Sequence, residues 1–192
     1  MWTEGKRECL NPLPPLQVDL ADGNIEMCRK SLSAMSGVRA EFHVGSYFSL
    51  PAEVTQQRFS HVLMQTSIFY AHHRIDDVLG EVSRVLAPGG ILATTDFLRV
   101  TEDPAELASF QTWNSMSVVL TLEEMKAALA RNGLQYTGGE NLDKHCVRCN
   151  DHKMERTIKE GIEGPKAEFF KCRSDFVSSG KVTFQIVIAK KI

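Results

Sequence analysis

The sequence contains no apolar run approaching the ~20 residues needed to cross a bilayer, so no membrane contact is expected. Its opening residues, Met1-Trp2-Thr3-Glu4-Gly5-Lys6-Arg7-Glu8-Cys9, are too polar for a signal-peptide core and too acidic for a typical transit peptide. Neither charge is in large excess. The 22 Lys/Arg and 24 Asp/Glu leave a net charge of -2, which gives no global pull toward nucleic acid or an anionic membrane. There is no internal repeat and no low-complexity tract. Hydrophobic residues at 43% and charged residues at 24% argue against long disorder or a coiled-coil rod. The cysteines number five, which is odd, and no secretory signal accompanies them. Reduced thiols in a cytoplasmic protein are the expectation.

What is present fits one domain of 192 residues, at most with a small appendage. Residues 1–15 read as a flexible arm, because Pro12, Pro14 and Pro15 remove N–H donors and fix φ. From residue 16 to 192 two hydrophobic periods alternate. Leu16 to Leu20 reads as a strand, followed by a helix from Asp22 to about Met35 with Ile25, Cys28 and Leu32 on one face. Val38 to Val44 and Phe59 to Met64 read as further strands. Ile75, Val78, Leu79, Val82, Val85 and Leu86 then form one apolar helix face. Ala87-Pro88-Gly89-Gly90 ends that helix, and the nearly continuous apolar run Ile91 to Phe97 suits a strand covered on both faces. Thr121-Leu122-Glu123-Glu124 is a capping box for a helix to about Asn132. A strand over Leu134–Thr137, helices over 143–160 and 165–177, and a strand over Val182–Ala189 complete the order. Such alternation predicts an α/β fold with a mostly parallel sheet and helices on both faces.

Ligands of such sheets lie at the carboxyl ends of the strands. Asp19 ends the first strand, and its two acceptor oxygens suit the two hydroxyls of a ribose. The alternative is an acid favoured by the helix dipole, a part that Asp22 already plays. Gly45-Ser46-Tyr47 follows the second strand and offers a close backbone approach, a small donor and a stacking face, or is simply a turn. Gln65 and Thr66 end the third strand. Phe69, Tyr70, His72 and His73 carry aromatics and imidazoles onward, although core packing competes for Phe69. Asp96 ends the next strand, facing a ligand or capping a loop.

The order Val18-Asp19-Leu20-Ala21, Gly45-Ser46-x-x-x-Leu50-Pro51, Phe59-Ser60-His61-Val62, Glu81 to Leu92 and Asp96 resembles class I S-adenosylmethionine-dependent methyltransferases. Arg84-Val85-Leu86-x-Pro88-Gly89-Gly90 is the most specific match. It marks fold and family, and it is not catalytic. Within that superfamily the chain is similar to small-molecule enzymes such as sarcosine and dimethylglycine N-methyltransferases, through Gly45-Ser46 and the segment Gln65 to His72. The resemblance covers residues 16–140. It implies a Rossmann-like sheet whose last strand is antiparallel, with 143–178 a helical insertion on the acceptor side. It also implies S-adenosyl-L-methionine as cofactor and a small-molecule acceptor. Asp19 and Leu20 would hold the ribose, Gly45, Ser46 and Tyr47 the adenine, and Gln65 and Thr66 the methionine part. Phe69 and Asp96 would bind substrate, with Tyr70 and His72 as the catalytic pair.

The family pattern usually opens with a strand and a Gly-x-Gly-x-Gly loop, and this sequence has neither; the expectation is an N-terminally truncated domain. Two readings follow. One is a methyltransferase, in which a nucleophile attacks the sulfonium methyl in line and the protein supplies alignment and electrostatics. A neutral amine would need no strong base, and Tyr70 and Phe69 could steady a cationic product by about 0.5–2 kcal/mol. A hydroxyl would want His72 as base. The other reading is a non-catalytic remnant that binds a partner protein. A third class, zinc binding by His145, Cys146, Cys149 and His152, is disfavoured by their crowding on one helix. No nucleic-acid platform is evident, and the sequence is silent on oligomeric state. The final 50 residues carry 11 Lys/Arg against 7 Asp/Glu, a solvated helical face or a site for an anion.

Overall fold

A computed structural model describes residues 15–19, 21–33, 40–116, 118–162 and 164–192. The expected arm therefore lies outside the described residues except for Pro15, as do Leu20, Met35 and Val38. The chain divides into two compact units, one ending at Phe59 and the other beginning at Ser60.

In the first unit β1 (Leu16–Asp19) and β2 (Glu41–Val44) pair in parallel, with Leu16 opposite Glu41 and Asp19 opposite Val44. Between them in the chain runs α1 (Asp22–Ser33), whose apolar stripe buries Ile25 completely. Four residues, Ala52–Thr55, form the short helix α2 and bury Val54. A parallel pair joined through a helix is the smallest right-handed crossover unit. It has no third strand among the described residues.

The second unit holds a four-stranded sheet in the order β3 (Phe59–Gln65), β4 (Leu86–Arg99), β6 (Val182–Lys191), β5 (Leu134–Asn141). β6 runs antiparallel to both of its neighbours, as expected of the last strand. A 3₁₀ helix (Ile68–Arg74) and α3 (Ile75–Val85) carry the chain from β3 to β4. The predicted apolar face is the one α3 buries as far as Val85 (Ile75, Val78, Leu79, Val82 and Val85), whereas Leu86, expected to continue it, opens β4, and the strand already runs through Ala87-Pro88-Gly89-Gly90. Lys191 donates to the carbonyls of Ser83 and Leu86 (2.8 Å to Leu86), placing a cation at the C-terminal end of α3 where the helix dipole favours it.

The capping box forms as predicted. The Thr121 hydroxyl accepts from the Glu124 amide, and the Glu124 carboxylate accepts from the Thr121 amide, opening α5 (Leu122–Arg131). Strand β5 runs four residues beyond Thr137, where a bulge shifts its register; a Cβ on Gly139 would come within 2.2 Å of the Ile186 carbonyl, so only glycine fits there. Residues 104–113, unassigned by periodicity, form a 3₁₀ turn and the short helix α4 (Ala108–Trp113). Two long helices, α6 (Asp143–Lys159) and α7 (Pro165–Ser178), form before β6 close to the predicted bounds.

Successive residues of β4 point to opposite faces. Phe97 enters an aromatic core with Phe69, Phe110, Phe176 and Phe184, while Leu92, Thr94, Asp96 and Leu98 are buried on the other face. With both faces covered, the run Ile91–Phe97 reads as nearly continuous apolar sequence, as such strands do.

Candidate functional site

Asp19 and Gly45 lie together because β1 and β2 end in register. The Gly45 amide donates to the Asp19 carbonyl at 2.9 Å. The Asp19 carboxylate accepts from the Ala21 amide (2.8 Å) and from the Asn24 side chain (3.2 Å). These bonds fix its orientation at the strand end, and each oxygen keeps acceptor capacity for a ligand. Gly45 has its own steric reason: a Cβ there would meet the Pro51 ring at 2.7 Å. Ser46 accepts from the Phe48 amide through its hydroxyl, and the Tyr47 and Phe48 rings lie 4.7 Å apart, tilted.

In the second unit Gln65 is exposed at the end of β3, and Thr66 follows with φ of 50°. A β-branched residue in the left-handed region is a strained exception, costing about 1–3 kcal/mol. The Thr66 amide donates to both the carbonyl (3.2 Å) and the hydroxyl (3.0 Å) of Thr95, so β4 holds the strained turn in place; the strand continues to Arg99, which puts Asp96 within it and not at its end as the sequence suggests.

His72 and Asp96 form a separate, fully buried pair, with Nε2 to Oδ2 at 3.0 Å. The Leu120 amide donates to Nδ1 of His72 at 3.1 Å, so that nitrogen is the acceptor and the ring proton sits on Nε2 toward the carboxylate. Both ring nitrogens are therefore occupied. Burial pushes the Asp96 carboxyl above its ordinary range, partly opposed by the His72 hydrogen bond and charge. Its Oδ1 and the Thr94 hydroxyl, on the same face of β4, are buried without partners among the described residues.

Phe69 and Tyr70 belong to the other group. Their rings lie 4.0 Å apart; Phe69 is core, whereas Tyr70 is exposed at a cleft of about 570 Å³. His73, Ala108, Gln111, Thr112, Ser115 and Met116 complete that cleft. The structure thus brings Phe69 to Tyr70, and His72 to Asp96, as two distinct pairs.

Sequence reasoning missed Arg173 and Asn114. Arg173 of α7 donates through Nε to Asn114 Oδ1 at 2.7 Å and through Nη2 to the Tyr70 hydroxyl at 3.3 Å. A signal was available: Phe169, Cys172, Phe176 and Val177 mark the inward face of α7, and Arg173 falls on it. The four crowded residues of α6 separate as well. Cys146 is buried in the core, while His145, Cys149 and His152 line a surface groove, and among the described residues no group of three or more His, Cys, Asp or Glu could hold a metal ion. No described helix is long and apolar enough to cross a membrane.

Residues 12–90 match the family described as a methyltransferase domain. No curated protein matches the sequence. Among solved structures, a Galdieria sulphuraria protein assigned as a sarcosine dimethylglycine methyltransferase superposes with a TM-score of 0.81 at 14% identity, over 93% of this chain and 69% of that one. A geranyl diphosphate C-methyltransferase from Streptomyces coelicolor, in complex with S-adenosyl-L-homocysteine, gives 0.72 at 13% identity, over 92% and 64%. A phosphoethanolamine N-methyltransferase from Haemonchus contortus gives 0.73 at 14%, over 92% of this chain and 43% of that one. The chain thus spans between about two fifths and two thirds of these relatives' lengths, and its fold is the Rossmann-like one of class I methyltransferases.

Proposed function

We propose that this chain, with its methyltransferase-domain segment on a class I fold, binds S-adenosyl-L-methionine and transfers its methyl group to a small-molecule acceptor, an amine in preference to a hydroxyl. One observation carries the reading: Asp19 and the Gly45–Ser46 turn sit side by side at the matching ends of two parallel strands, joined by the Gly45 amide on the Asp19 carbonyl. A fixed carboxylate beside a tight, glycine-dependent turn is what a ribose next to a flat base requires. Asp19 would take the ribose hydroxyls. Gly45, Ser46 and Tyr47 would flank the base. The cofactor, when bound, supplies an activated methyl group.

On the acceptor side, Tyr70 offers the exposed face of the cleft. His72 is locked between Asp96 and Leu120, so it acts as a positioning residue for β4 rather than as a base within reach of a ligand. His73 lines the cleft instead. With His72 unavailable, an amine fits better than a hydroxyl, because a neutral amine attacks without a strong base. The relatives include an N-methyltransferase and a C-methyltransferase, so the fold admits either acceptor atom.

A second reading, a remnant that binds a protein partner, is favoured by the two-stranded sheet β1–β2, which pairs with no further strand among the described residues. Calorimetry with S-adenosylhomocysteine separates the two. Saturable heat that disappears in Asp19→Ala supports the enzyme, and silence supports the remnant.

A further inference from the structure

We propose that Arg173, held by Asn114 and Tyr70, binds an oxyanion, a carboxylate or phosphate group on the acceptor molecule. The inference rests on the acceptor-cleft reading above and narrows the substrate to an anionic one.

The guanidinium lies 4.1 Å from the ring centre of Phe169, 5.1 Å from that of Phe97 and 5.5 Å from that of Phe69. Aromatic rings thus surround it, and its in-plane N–H edges are left for hydrogen bonds. Two of its five donors are used, both on neutral oxygens. Neither hydrogen of Nη1 has a partner among the described residues, and no described carboxylate stands within ion-pair distance. The nearby thiols do not supply the missing charge, since burial pushes Cys146 and Cys172 up to about 11 and both stay neutral. A half-buried cation without a counter-ion is costly unless something anionic completes it.

The holder is also pre-set. Asn114 is 1% exposed, and its Nδ2 donates to the Phe110 carbonyl at 2.8 Å, which fixes Oδ1 toward Arg173. Tyr70, which Arg173 touches, lines the cleft, as does Ser115, the residue after Asn114, with φ of 52°. A planar fork with one edge anchored on Asn114 and Tyr70 and both Nη1 hydrogens unpartnered among the described residues, beside a cleft that Tyr70 and Ser115 line, matches the two oxygens of a carboxylate or phosphate.

The test is an NMR titration of the full chain with sodium acetate and, separately, inorganic phosphate, at constant ionic strength, following the Arg173 Nε–H and the Ser115 amide. The expected result is a saturable shift of both signals. Arg173→Gln should weaken the response at Ser115 at least tenfold, and Tyr70→Phe should weaken it less. Saturation by acetate alone assigns a carboxylate, and saturation by phosphate alone assigns a phosphate. A linear, non-saturating shift in the wild type overturns the proposal without any variant, as does an unchanged response in Arg173→Gln. The titration needs no cofactor. Anion saturation in a protein that gives no heat with S-adenosylhomocysteine removes the methyl-transfer reading and leaves this site standing. The converse pair of results removes this site alone.

Discussion

The two units of the chain solve the same problem with unequal means. In residues up to Phe59, a two-stranded parallel sheet relies on Ile25 and Val54 as its buried hydrophobic residues among those described. From Ser60 onward, four strands carry helices on both faces and an aromatic core built on Phe97. Two strands alone are marginal in water, and three or more with a packed face are needed for independent stability. Yet the smaller unit carries Asp19 and Gly45, the pair we propose for the adenosine part of a cofactor. The larger unit carries the cleft and Arg173. The proposed binding residues are therefore shared between the units while the buried apolar side chains are concentrated in one.

The sharpest way to break the comparison is at the two cores. Phe97→Ala should cost about 3–5 kcal/mol in urea unfolding, the range for a large buried aromatic. Ile25→Ala should instead erase hydrogen-exchange protection in α1 and β2. Equal effects of the two changes on the main unfolding transition would show that the units do not differ as described. Next in size, Asp19→Ala should lower S-adenosylhomocysteine affinity by about 100-fold, as the loss of charge-assisted bonds to two hydroxyls requires. Binding that survives unchanged in calorimetry would remove Asp19 from the site.

A smaller effect separates the faces of β4. The Asp96 carboxyl is raised by burial, so the native state keeps a proton that the unfolded chain has already released above the ordinary carboxylate value. Stability from this group is present at low pH and is lost as pH rises through the native-state pKa. Asp76 works in the opposite sense, since its hydrogen bond from Arg131 lowers its pKa. The informative quantity is thus the difference between wild type and Asp96→Asn: the wild type should fall relative to the variant as pH rises. Parallel pH curves would refute the assignment.

The smallest effect is one of rate. Among the described cysteines Cys149 is exposed and should react first with a thiol reagent, followed by half-buried Cys28 of the smaller unit. Cys146 and Cys172 should react last, being buried and with thiols near 11. Reaction of Cys172 ahead of Cys28 would reverse the inferred order of local stability.

Much of this architecture was open to reading in one dimension. The stripe from Ile75 to Val85, the Thr121–Glu124 box and the continuous run before Phe97 each follow from a repeat of 3.6 or 2, or from a local cap; the box forms as expected, while the helix stops one residue before Leu86 and the strand extends past the run at both ends, to Leu86 and Arg99. Helix α4 escaped because six residues are too short to show a period. The bulge in β5 escaped because it is a feature of the pairing with β6, a strand distant along the chain. The candidate site was only half readable. Asp19 and Gly45 stood out because strand ends are marked by pattern. His72 and Asp96 stood out as chemical types, but nothing in their spacing says that they lock each other inside the protein.

The long periodic elements and the Thr121–Glu124 cap were therefore settled by the sequence itself, since each depends on neighbours a few positions away. Tertiary structure alone decided that Arg173 meets Asn114 and Tyr70 across separations of 59 and 103 residues, and that His72 turns inward to Asp96. Such meetings depend on how distant surfaces pack, and packing leaves no period along the chain.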